Sequence, residues 1–284
     1  MRKHKAPTIV GLWAFLLLFW SSLLSAAPDF DSFWNASDES NPAKFDHSAW
    51  QTILDGYLKA NHPSGINRFD YARLNANSTD RKKLRDYLIA LKKRDPRSYS
   101  KAEQKAYWIN VYNALTVRLV VNNLVVDGYP IESIRNIGTG GYFRLGNPWK
   151  KKLIKIQSQS LTLNNIEHNI LRPIWNDNRI HYAVNCASMG CPNLASEAYT
   201  AANTERLLEK GAKDYVNHSR GVQFQSNGKL LVSSIYRWYS VDFGSTNDNV
   251  ITHLRQYANS TLANRLRGYR GSIAHDYNWD INKP

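Results

Sequence analysis

Apolar residues recur at three- and four-residue steps through residues 100–124, with Trp108, Tyr112, Leu115 and Leu119 on one line and Ile109, Thr116 and Val120 beside them. So broad an apolar face belongs to a buried helix, and this segment is predicted to be the central helix of the fold. Asn110 and Asn113 lie inside it. A buried amide without partners is costly, so both are either satisfied core groups or binding groups. Upstream, Trp50, Ile53, Leu54, Tyr57 and Leu58 mark one side of a helix, and residues 61–65 a turn. Ser78, Thr79 and Asp80 supply N-cap chemistry for a helix carrying Leu84, Tyr87, Leu88 and Leu91, which Asp95-Pro96 ends.

Downstream, residues 138–149 hold four glycines and a proline and read as a long loop, and residues 152–156 as a strand. Ser160-Leu161-Thr162 caps a helix with Leu163, Ile166 and Ile170 on its apolar face and Glu167 and His168 at its flank, stopped by Arg172-Pro173. Residues 180–185 alternate, with His181, Ala183 and Asn185 against Ile180, Tyr182 and Val184, which predicts a strand entering the small-residue loop that follows. Leu207, Leu208, Ala212, Tyr215 and Val216 mark another helix. Asn227-Gly228 between VQFQ and KLLVSS is a hairpin signal, residues 250–258 read as a helix, and residues 273–281 as a last strand. Without repeats or regular β–α alternation, the pattern predicts an α+β single domain, mainly helical, with a small antiparallel sheet.

The first 27 residues change the picture of where this domain works. Residues 1–5 are basic, residues 6–27 carry no charge, and Ser25-Ala26-Ala27 offers small residues for cleavage, the layout of an export signal. Uncleaved, the 22 uncharged residues are long enough to anchor the chain in a bilayer. The body is therefore expected to be periplasmic or secreted, with residues 28–99 as a lead-in and packed helices and residues 100–284 as the main domain. Loss of Arg2, Lys3 and Lys5 lowers the formal charge from +14 to +11, so the body stays basic. That balance suits an anionic surface or an envelope peptide or protein as partner, or is a solvated surface alone. Without interleaved basic and aromatic residues, nucleic acid is not expected as a partner.

Cys186 and Cys191 are the chain's two cysteines. In an oxidising compartment they are candidates for a disulfide closing the CASMGC loop. A nucleophilic or redox-active Cys186 with Cys191 resolving, two reduced core thiols, and a metal site with His181 and His168 are the other readings. No serine-hydrolase elbow, P-loop, HExxH or dinucleotide fingerprint is present, and no cofactor is expected.

Five stretches carry a resemblance: AYWINVYNAL (106–115), LTLNNIEHNILRP (161–173), RIHYAVNCASMGCP (179–192), WYSVDFG (238–244) and HDYNWDIN (275–282). They resemble the DUF547 domain family, which is named for its lack of an assigned function. The resemblance implies a papain-like or transglutaminase-like cysteine-hydrolase fold, although here the central-helix stretch has no cysteine. On that basis Cys186 is the expected nucleophile and His168 its base, since five residues of extended chain, about 16 Å, would separate His181 from Cys186. Asn185 or backbone amides near Ser188 are the expected oxyanion donors, and Asp242 or Asp276 the orienting acid. Glu167 is expected to bind backbone groups or Arg172, because neighbours on an α-helix diverge by about 100°. Asn110, Asn113, Glu167, His181, Ser188 and Trp238 complete the candidate site as binding residues. The reaction implied is hydrolysis or transfer at a peptide or amide bond; the alternative is a non-catalytic binding module built on a disulfide-constrained loop.

Overall fold

The computed structural model describes residues 29–138 and 147–284. The segment expected to be an export signal and most of the glycine-rich loop therefore lie outside the described residues. Helices α1 (Ser48–Tyr57), α2 (Tyr71–Ala76) and α3 (Ser78–Lys92) precede α4 (Lys101–Val121), the central helix the periodicity predicts. Every residue of α4 from Glu103 to Val117 is buried. Its N-cap is Ser100, whose hydroxyl accepts from the Glu103 N–H at 3.3 Å. In α3 the cap falls one residue earlier than expected, on Asn77, whose Oδ1 accepts from Asp80 N–H at 3.0 Å.

Short antiparallel pairs close the turns between helices: β1 (Leu58–Lys59) with β2 (Arg68–Phe69), β3 (Val125–Val126) with β4 (Tyr129–Pro130), and β5 (Ile154–Ile156) with β6 (Gln159–Leu161). After β6 the chain winds as a π-helix, Asn165–Leu171, that runs into α5 (Arg172–Trp175). Pro173 was expected to stop this helix and does not. A proline cannot serve the carbonyl four residues back, but here the Asn169 carbonyl takes the Asp31 N–H at 3.0 Å instead.

Residues 180–185 do not form the expected strand. They belong to a 3-10 turn, Asn178–Tyr182, and the bend after it, with all six side chains buried. An alternating pattern marks a strand only when one face meets solvent; with both faces covered, the alternation of Ile180 to Asn185 carries no such meaning. Then follow α6 (Thr204–Val216), the hairpin β7 (Val222–Phe224) and β8 (Leu230–Ser233), α7 (Ile235–Trp238), α8 (Asn247–Tyr257), α9 (Ser260–Leu266) and β9 (Ile273–Asp276). Gly228 in the hairpin turn sits at φ +78°, as the Asn-Gly signal requires. Strand β9 pairs with β8 in parallel, which the helices between them permit. The molecule is thus α+β and mainly helical, with a large core around α4 and a smaller one between α6, α8 and the three-stranded sheet. Among the described residues no helix is long and apolar enough to cross a membrane.

Two histidines are locked into these cores as neutral rings. His47 bonds Tyr87 OH through Nδ1 at 2.7 Å and His253 bonds Tyr182 OH through Nε2 at 2.6 Å, while their other ring nitrogens are buried without partners. Burial lowers both pKa values from 6.5 to about 4. The unfolded chain takes these protons near pH 6.5 and the folded one only near 4, so stability present above 6.5 is lost as pH falls toward 4. Each ring accounts for roughly 3 kcal/mol over that window. Urea melts at pH 7 and pH 4.5 should therefore differ widely in midpoint, and His253→Phe should flatten the difference. Equal midpoints at the two pH values would remove the assignment.

Candidate active site

The loop that follows the 3-10 turn is held by main-chain bonds on every side. Asn113 on α4 grips its entry, with Oδ1 accepting from Asn185 N–H at 2.8 Å and Nδ2 donating to Ala183 O at 2.9 Å. Asn185 closes it, with Oδ1 accepting from Ala187 N–H at 2.8 Å and Nδ2 donating to Pro192 O at 2.7 Å. Ala187 is held at φ +61°, a conformation that an alanine adopts only when its surroundings impose it. The C-terminal segment then lies along the loop: Met189 N–H donates to Asp280 O and Gly190 N–H to Asn278 O, both at 2.7 Å, and Asn282 N–H to Ala187 O at 3.0 Å. A Cβ on Gly190 would stand 2.8 Å from the Asn278 main chain, so only glycine lets the two segments approach.

This frame sets the thiols. Cys186 and Cys191, expected as a disulfide pair, are free thiols here. Cys186 N–H donates to Cys191 Sγ at 2.9 Å; Cys186 Sγ lies 2.9 Å from Ser188 Oγ and 3.0 Å from Tyr277 OH. Burial alone would push the Cys186 thiol up, but hydrogen bonds from Cys191, Ser188 and Tyr277 outweigh it and hold the pKa below the ordinary value. Burial raises Cys191 well above its ordinary value, and the adjacent Cys186 raises it further. Burial and the same neighbour raise Tyr277, so its hydroxyl keeps its proton and can donate it to a thiolate.

Facing Cys186 across a cavity of about 290 Å³ is a second cluster. The π-helix places it there. More residues per turn means a smaller angle between successive side chains than on an α-helix, and Glu167 and His168 both line the cavity. Glu167 accepts from Tyr112 OH at 3.0 Å rather than from a main-chain donor, and its Oε1 lies 3.7 Å from His181 Nδ1 and 3.9 Å from His168 Nδ1. His181 stacks on Tyr239, with centroids 4.3 Å apart, and its Nε2 donates to Asp242 Oδ2 at 2.6 Å. Arg172, 1 % exposed in its side chain, donates from Nε to the same oxygen at 2.6 Å and from Nη1 to His168 Nδ1 at 3.1 Å. Burial raises Asp242, but the His181 and Arg172 hydrogen bonds prevail and hold it at about 2.

The arrangement revises several expected roles. A guanidinium only donates, so Nδ1 of His168 is an acceptor and the ring proton sits on Nε2. Burial lowers the pKa of His168, which keeps the ring neutral. His168 is therefore a hydrogen-bond donor to the cavity and not the base for Cys186. Asp242 orients it only through Arg172. Both ends of the Asn185 amide hold the loop, and both ends of Asn110 likewise hold the Tyr199 main chain. Asp276 lies in β9 and accepts from the Tyr277 N–H. Ser188 and Trp238 stand at the site, the first on the Cys186 sulfur and the second on the cavity wall. Among the described residues no group of three or more His, Cys, Asp and Glu side chains could hold a metal ion.

The comparisons with known proteins bear on this same region. Residues 96–216 match the family model described as "Protein of unknown function, DUF547". This stretch of the chain thus belongs to the DUF547 family. The match takes in α4, the π-helix and the cysteine loop and ends before Asp242, Tyr277 and Trp279, so the site is completed by residues outside the matched stretch. No curated protein and no solved structure matches the chain.

Proposed function

We propose that this DUF547 protein is an exported cysteine-nucleophile enzyme, a hydrolase or transferase working through an acyl-thioester on Cys186. One observation carries the reading: hydrogen-bond donors converge on the Cys186 sulfur at the wall of the cavity. A thiolate held in this way attacks without a histidine base. Cys186 Sγ bonds to the acyl carbon, the bond to the leaving group breaks with its electron pair, and His168 Nε2–H serves the transient oxyanion. Water or a second acceptor then cleaves the thioester and releases its proton to solvent, and Cys186 departs again as the stabilised thiolate. Neutral His168 is a donor but a poor acid, so the site favours a thioester or activated ester, whose leaving group departs without a proton, over the peptide bond. Export rests on residues 1–27.

The test is the pH profile of iodoacetamide alkylation, with the modified peptide located by mass spectrometry. One thiol, Cys186, should react rapidly and with a midpoint below that of an ordinary cysteine. Alkylation only above the ordinary thiol range, or first at Cys191, rules the reading out. A second reading has its own observation, the 2.9 Å contact that makes Cys191 a neighbour of Cys186. Two adjacent thiols of unequal acidity suit thiol–disulfide exchange. Cys191→Ser separates the two, since acyl transfer is slowed by the changed hydrogen bond to Cys186 but persists, and exchange is lost.

A further inference from the structure

The cavity wall points to what the substrate carries. In a chain with 37 Lys and Arg against 23 Asp and Glu, no Lys or Arg among the described residues lines the cavity, while the carboxylate of Glu167 does. Half-buried aromatic rings line it as well, among them Trp149, Trp238, Tyr277 and Trp279. They pack on one another, with centroid separations of 5.7 Å for Trp149–Trp279, 5.4 Å for Trp238–Trp279, 4.6 Å for Tyr277–Trp279 and 4.9 Å for Trp238–Tyr277. Interplanar angles of 72°, 32°, 52° and 56° mean that the rings form an inclined cluster and not a parallel stack. The face of an aromatic ring is its negative side and attracts cations. The molecule already uses two nearby rings in this way, with Arg135 over Trp279 at 5.2 Å and Arg172 over Tyr239 at 4.9 Å. Arg172 is bonded to Asp242 and His168, and among the described residues no Lys or Arg forms an ion pair with Glu167.

We propose that the cavity binds an alkylammonium group, held between the aromatic wall and the Glu167 carboxylate, so that the acyl substrate of Cys186 is cationic. This rests on the reading of Cys186 as the reactive thiol, and the two can fail separately. Electrostatics over the whole surface act against it, because a basic protein repels cations at a distance; a preference for a cation at Cys186 therefore reports the local site.

The test compares three methanethiosulfonates on the full-length protein: a trimethylammonium-ethyl, a neutral methyl and a sulfonatoethyl reagent. Rates at Cys186 are normalised to those of glutathione. Rapid reaction with the neutral reagent reports the nucleophile alone. The cationic reagent should then outpace the anionic one at least tenfold, and tetramethylammonium chloride should protect Cys186 while neopentyl alcohol at equal concentration does not. Glu167→Gln and, separately, Trp279→Leu should each cut the cation-to-anion ratio severalfold; the protection experiment needs no variant and stands if either fails to fold. A ratio at or below one, or equal protection by the neutral isostere, overturns the alkylammonium site while leaving the thiol's reactivity in place.

Discussion

Replacing Tyr277 with phenylalanine is expected to slow alkylation of Cys186 at neutral pH about tenfold, and Ser188→Ala to do the same. Each variant removes one donor from the sulfur and leaves the burial unchanged. A hydrogen bond to a charged acceptor contributes about 1.5–3 kcal/mol, and most of that acts on the thiolate and not on the thiol. Tyr277→Phe keeps the ring in the aromatic wall, so the effect comes from the hydroxyl. The two hydroxyls stand 3.4 Å apart in one network on the sulfur, so the double variant should fall short of the roughly hundredfold product of the single effects. The direction reverses at high pH: a more basic thiolate is the better nucleophile, so the fully ionised variants should alkylate somewhat faster than the parent. Crossing rate–pH curves are the expected signature. Parallel curves would mean that the hydroxyls only pack against the sulfur, and unchanged rates in both variants would remove hydrogen bonding as the source of its acidity.

The sequence makes some of this legible and hides the rest for physical reasons. Helix α4 reads directly, because a helix buried on nearly all sides leaves an unmistakable apolar face. The β7–β8 hairpin reads equally well, since Asn227-Gly228 dictates one turn geometry. The strand assigned to residues 180–185 fails because burial on both faces erases the distinction that period-two reading needs. Glu167 and His168 were placed on diverging faces by assuming α-helical winding, and nothing in NNIEHNIL announces a π-helix. Tyr277 lies 91 residues beyond Cys186 and reaches it because the C-terminal segment pairs with the loop through main-chain bonds, which leave no side-chain pattern. The cysteine loop could be identified as the centre of the site, whereas its hydrogen-bond donors could not.

Arg172→Met should destabilise the fold by about 3–5 kcal/mol, the cost of breaking a buried ion pair from one side. Arg172 is the hinge of the charged cluster: its Nε holds Asp242, its Nη1 holds His168, and its plane covers Tyr239. Without it, His181 is the partner left to Asp242 among the described residues, and less opposes the cost of its burial. The pH dependence gives the sign. In the parent the carboxyl is held at about 2, so the stability it contributes is complete above the ordinary carboxylate range near 3.8 and is lost as pH falls through 2. In the variant that contribution shrinks, so the deficit relative to the parent is largest near neutrality and narrows in acid, where the parent loses the same interaction. Arg172→Lys keeps the charge but has no fork to serve Asp242 and His168 together, and should recover only part of the loss. Urea melts measure the energy, and nitrogen-15 shifts of His168 measure the site: Nδ1 should read as the unprotonated nitrogen in the parent and lose that fixed tautomer in the lysine variant. A lysine variant with parental stability and an unchanged His168 tautomer would show that Arg172 neither ties the cluster together nor sets the proton that His168 offers to the cavity.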